Sequence, residues 1–80
     1  MRVTVNVFAN LKDYYDSRFE LELEGRASVS DVIDKIRSIK PEADYILSHS
    51  RYAVADNIVE KNFYLSDGAE VYIFPPSSGG

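Results

Sequence analysis

Between residues 28 and 41 the chain reads SVSDVIDKIRSIKP, and its apolar positions limit what can be built around it. Val29, Val32, Ile33, Ile36 and Ile39 recur at spacings of three, one, three and three, the mark of a helix with one apolar stripe. Ser28 followed by Asp31 has the spacing of an N-cap with an acidic N3 residue, a variant of the capping box. Asp31 and Asp34 come early and Lys35, Arg37 and Lys40 late, an order that complements the helix dipole. Pro41 then stops the helix. One stripe needs one apolar surface to lie on, and the rest of the chain must supply it.

It does so with strands. RVTVNVF alternates, with Val3, Val5 and Val7 on one face. ANLKDYYD, residues 9 to 16, breaks the pattern and reads as a connecting loop. RFELELE, 18 to 24, alternates again, with Phe19, Leu21 and Leu23 inward and Glu20, Glu22 and Glu24 outward. Two amphipathic strands joined in this way predict a hairpin with one buried and one wet face. Gly25 opens a turn toward the helix. After the helix, EADYILSHS predicts a short second helix using Ala43, Ile46 and Leu47. RYAVAD reads as a strand with a turn at Asp56-Asn57, and residues 58 to 63 allow a short edge strand. SDG at 66 to 68 is a turn signal, and AEVYIF is the last strand, with Val71 and Ile73 on one face. The element order makes an α+β domain: one sheet of four to five strands with one main helix across a single face.

Eighty residues form one domain. A chain of this size buries about 60–65% of its unfolded surface, so its apolar side chains serve one core and leave little to wall a private catalytic cleft. Without cysteine there is no disulfide framework, thiolate nucleophile or zinc knuckle. A net charge of −4 has the wrong sign for a nucleic-acid binder. No apolar run approaches the roughly 20 residues of a membrane span, and the alternating start is unlike a signal peptide. The expected location is the cytoplasm.

The chain finishes FPPSSGG. Pro75 and Pro76 cannot donate ladder hydrogen bonds, so the last strand stops there. They favour an extended backbone that projects the chain end away from the body. The four residues after them reach about 14 Å. Ser77, Ser78, Gly79 and Gly80 are small enough for a narrow channel, and the glycines allow close backbone approach to a bound nucleotide. The group such a tail delivers is its terminal carboxylate, which becomes an acyl donor once ATP converts it to an adenylate. The division expected is a domain over 1–75 and a tail over 76–80.

LSDGAEVYIFPPSSGG, residues 65 to 80, resembles the C-terminal signature of the MoaD/ThiS family of sulfur carriers, L-x-D-G-D-E-V-x-x-x-P-P-x-x-G-G. The likeness extends less strictly to RVTVNVFANLKD, to the SVSDVI helix start and to YAVADN; Ala69 stands where the family usually has Asp. The paired prolines are similar to those of the molybdopterin synthase small subunit, MoaD. The resemblance implies a β-grasp, ubiquitin-like fold with the first and last strands adjacent at the sheet centre. It implies that Gly80, with Gly79 as its flexible neighbour, is adenylated by an E1-like enzyme of the MoeB/ThiF type and converted to a thiocarboxylate. The tail would then enter a molybdopterin synthase large subunit of the MoaE type and donate sulfur in molybdenum or tungsten cofactor synthesis. The carrier itself would hold no cofactor or metal and would not be catalytic alone, since the activating enzyme uses the ATP. The same fold and tail also occur in archaeal small modifiers conjugated to lysines, and in carriers for tRNA thiolation or thiamine synthesis.

If Val71 and Ile73 face the helix, Tyr72 and Phe74 face the other way, and an aromatic pair just before the tail is a candidate partner anchor. With Pro75, Pro76, Ser77 and Ser78 they complete the expected partner-binding set. Tyr14, Tyr15, Tyr45, Tyr52 and Tyr64 read as rim packing. His49, the one histidine, reads as a surface residue closing the second helix.

Overall fold

The computed structural model describes residues 1–77. β1 (Arg2–Val7) and β2 (Arg18–Glu22) pair antiparallel, with Val3 opposite Leu21 and Val5 opposite Phe19. The stretch between them is more than a loop. Ala9–Asp13 forms a 3-10 turn that buries Leu11 completely, so a polar-looking connector still contributes to the core.

The helical stripe folds as α1 (Val29–Ile39). At its start the Ser28 N–H and hydroxyl both donate to Asp31 Oδ2, at 2.8 and 3.2 Å. The N–H groups of Val29 and Ser30 donate to the carbonyls of Phe63 and Lys61 at 2.9 and 2.8 Å, which ties a distant loop to the helix entrance and satisfies groups that would otherwise lack partners. Val29, Val32, Ile33 and Ile36 are buried, whereas Ile39, expected on the stripe, is 53% exposed. At about 100° per residue it falls on the flank of the buried face, in the last turn before the chain leaves at Pro41. A 3-10 turn over Pro41–Ala43 leads into α2 (Asp44–Ser48); Ala43 and Leu47 are buried as expected, and Ile46 is only half-buried.

β3 (Arg51–Val54) and β4 (Asn57–Val59) form a tight hairpin closed by Val54 and Asn57. The turn residues are Ala55 and Asp56, at φ 52° and 66°, one position earlier than Asp56-Asn57. Two consecutive positive φ values match the twist of a two-residue hairpin, and pairing the strands outweighs the local preference for asparagine in the turn. β5 (Glu70–Phe74) runs parallel to β1 and antiparallel to β3, giving the order β2-β1-β5-β3-β4. This is a β-grasp fold: a mixed five-stranded sheet with its helices on one face. Val3, Val5 and Val7 of β1 and Val71 and Ile73 of β5 form the buried centre, almost without solvent contact.

Two of the tyrosines expected at the rim lie in the core instead. Tyr15 is 9% and Tyr52 3% exposed. Tyr15 Oη donates to the Ile36 carbonyl at 2.7 Å, in the last turns of α1, and Tyr52 Oη to the Leu47 carbonyl at 2.6 Å, near the end of α2. Each ring fills the core while its hydroxyl satisfies a carbonyl near a helix C-terminus. Burial raises both phenol pKa values. Tyr14 is half-buried, and Tyr45 and Tyr64 are exposed, the latter with the Arg26 guanidinium 3.8 Å from its ring centre.

Candidate functional site

β5 runs through the sheet centre and delivers the chain to Pro75 at one end. Because Val71 and Ile73 turn inward, Tyr72 and Phe74 appear on the face away from the helices, as their alternation predicts. Parallel pairing with β1 then brings in a residue that the sequence alone does not single out. The Phe8 ring stacks on Phe74 at 4.9 Å with planes 8° apart, and lies 6.3 Å from the Tyr72 ring. A signal for it exists: Val3, Val5 and Val7 face inward, so the parity of β1 points Phe8 outward. What the sequence lacks is the knowledge that β1 and β5 are neighbours.

From the aromatic cluster an apolar surface continues across the sheet. Ala53 of β3 stands opposite Tyr72, and Ile58 of β4 opposite Ala53. Ile58 is 63% and Phe74 39% exposed. Arg51, exposed and paired with Phe74 across the ladder, supplies a cation at the rim. Apolar surface of this kind, ringed by polar groups at the root of a chain end, is suited to a protein partner. Phe8, Ala9, Asn10 and Phe74 form a shallow cleft with Pro75, Pro76 and Ser77. Pro75 is half-buried there, while Pro76 and Ser77 are exposed. Ser78, Gly79 and Gly80 lie outside the described residues.

Toward β2 the same face turns polar. Glu70 Oε1 accepts from Arg18 Nη1 at 2.7 Å, Asn6 Nδ2 at 3.1 Å and Tyr72 Oη at 3.3 Å. These donors, Arg18 first, hold the Glu70 carboxyl below the usual carboxylate range. The network fixes Tyr72 by its hydroxyl, leaving the ring beside Phe8. Elsewhere, His49 closes α2 as expected: it is exposed, with Nδ1 2.8 Å from the Tyr45 carbonyl and its ring 4.3 Å from that of Tyr45. Among the described residues no group of three His, Cys, Asp or Glu side chains could hold a metal, and no helix is long and apolar enough to cross a membrane.

Comparison with known proteins gives a consistent family. The ThiS family model matches residues 5–80. No curated protein matches the sequence. Among solved structures, SAMP1 from Haloferax volcanii is similar at a TM-score of 0.86 and 20% identity, covering 100% of both chains. A putative molybdopterin converting factor, subunit 1, from Pyrococcus furiosus is similar at a TM-score of 0.84 and 26% identity, over 95% of this chain and 98% of that one. A chain in the complex of subunits 1 and 2 of molybdopterin-converting factor from Helicobacter pylori is similar at a TM-score of 0.69 and 22% identity, covering 100% of both. The likenesses thus include an archaeal modifier and subunits of molybdopterin-converting factor.

Proposed function

The chain belongs to the ThiS family, and on that premise we propose that it is a ubiquitin-like carrier whose working group is the Gly80 carboxylate. The observation that carries this reading is the family match, which runs through residue 80 and so takes in the diglycine. The carboxylate attacks the α-phosphate of ATP in an E1-like enzyme, releasing pyrophosphate and forming an acyl-adenylate. Electrostatic stabilisation of that step comes from the enzyme. Gly79 lets the backbone approach the nucleotide. Tyr72 and Phe74, with Phe8 behind them, dock the body, and Pro75 to Ser78 span the distance into the enzyme.

The adenylate has two outcomes. In the one that the full-length likeness to SAMP1 favours, a lysine amine of another protein attacks the carbonyl, AMP leaves, and an isopeptide bond forms. In the second, hydrosulfide takes the place of the amine and AMP leaves, which gives a thiocarboxylate that a large subunit of the MoaE type uses to sulfurate a pterin. The paired prolines and the 26% identity to the Pyrococcus protein favour that second outcome. Both start from the same intermediate, so one chain can serve both.

Mass spectrometry of protein from its own cells tests the reading. Lys61 is the last basic residue, so trypsin leaves the peptide 62–80 as a branch on any acceptor lysine. Such branches support conjugation. A free C-terminal peptide heavier by the difference between sulfur and oxygen supports sulfur carriage. If neither species is found while the activating enzyme is expressed, the proposal fails.

A further inference from the structure

The strand order leaves β2 at one end of the sheet, and among the described residues no strand pairs with its outer side. The ladder shows which backbone groups are left there. Met1 and Leu23 exchange bonds at 2.6 and 2.8 Å, and the Val7 N–H donates to the Ser17 carbonyl at 2.9 Å. The odd-numbered residues of this segment therefore bond toward β1, and alternation turns the N–H and C=O groups of Arg18, Glu20 and Glu22 outward. One of these outward groups already holds a cation. Lys35 reaches from α1 to donate its Nζ to the Glu22 carbonyl at 2.7 Å.

The side chains along this edge carry a matching bias. Glu20, Glu22 and Glu24 are all exposed. Arg2 answers Glu22 at 2.8 Å and Glu20 at 3.8 Å, and Arg18 is engaged by Glu70, so acid exceeds base along the strand. On the helix side, Phe19 is only half-buried, with its ring 5.9 Å from that of Tyr15. We propose that the outer edge of β2 is a second docking surface, taking an extended partner segment that alternates Lys or Arg with apolar residues. The segment adds a sixth strand beside β2. Its cations lie over Glu20 and Glu22, its apolar side chains rest on Phe19, and its backbone N–H displaces Lys35 from the Glu22 carbonyl.

A second copy of this chain does not fit the same place. Edge-to-edge pairing of two β2 strands sets glutamates against glutamates, and like charges directly opposite one another are destabilising. The stripe thus rejects its own kind while remaining complementary to a basic strand. The edge is formed by β2 and lies two strands away from β5, which carries the tail; it is independent of the fate of Gly80.

The test uses the full chain with a capped peptide alternating lysine and isoleucine, read by amide hydrogen exchange. Exchange should slow at Glu20 and Glu22 and stay unchanged at Leu21, which is already bonded to β1. Glu20→Pro removes an outward N–H while sparing the β1 ladder, and should weaken binding by at least about tenfold. Glu20→Gln with Glu22→Gln should weaken binding too, with only a small loss of melting temperature because the pairs with Arg2 are exposed, and Phe74→Ala should bind like the wild type. Unaltered exchange at Glu20 and Glu22, full binding by Glu20→Pro, or equal binding of a peptide alternating glutamate and isoleucine would each overturn the proposal.

Discussion

The two faces of one sheet divide the work of this molecule. Val3, Val5, Val7, Val71 and Ile73 lie under the helices with essentially no exposure, while the residues between and beyond them on the same strands, Asn6, Phe8, Tyr72 and Phe74, make up the opposite face. The inner face is apolar and aliphatic at its centre, where it meets the single stripe of α1, with Phe19 and Tyr52 to either side. The outer face is divided into a charged part over β2 and β1 and an apolar part with the rings of Phe8, Tyr72 and Phe74 beside Ala53 of β3 and Ile58 of β4. Stability comes mainly from the first face, and the second is the one proposed to meet partners. A strand's period of two lets one short sequence write both.

Adjacent residues of β5 give the sharpest contrast. Ile73→Ala opens a cavity in the centre of the core and should cost about 2–5 kcal/mol in denaturant unfolding. Phe74→Ala, one residue on, should cost far less stability and instead weaken docking to the activating enzyme. A comparable loss of stability in both would break the division of faces.

Tyr52→Phe keeps the ring but leaves the Leu47 carbonyl without its 2.6 Å donor; about 1–2 kcal/mol should be lost, with docking unchanged. Asp56→Gly acts in the opposite direction. It relieves a positive φ in the hairpin turn beside Ile58 and should stabilise the protein by about 1 kcal/mol, readable as a higher melting temperature.

The smallest effect is expected at Glu70. Its carboxyl lies below the ordinary value in the folded chain because Arg18, Asn6 and Tyr72 donate to it. The stabilisation it supplies is therefore complete above its unfolded value of 4.5 and fades as the pH falls through the lower folded value. Wild type and Glu70→Gln should differ most near neutral pH and converge in acid. A difference that grows on acidification would contradict the arrangement of the outer network.

Much of this is legible in the chain, for physical reasons. The alternation of β1, β2 and β5 and the stripe of α1 are local and periodic, and so are the outward directions of Tyr72 and Phe74. Strand neighbours are not local, and only the resemblance to the carrier family supplies them; the role of Phe8 is hidden for the same reason. Tyr15 sits where periodicity fails, and its burial depends on the α1 carbonyl it meets. The hairpin turn falls at Ala55-Asp56, one residue before the site that local preference for asparagine favours, because strand pairing sets the register. Ile39 meets the stripe by spacing but falls on its flank.

The central claim is that a helix-backed sheet presents a backbone terminus to an enzyme that energises it. ATP–pyrophosphate exchange by the cognate E1-like enzyme measures this directly, with the full chain compared to a chain lacking Gly80 and both checked for equal melting temperatures. The account predicts exchange with the full chain and none above background with the shortened one. Equal exchange from both would contradict it.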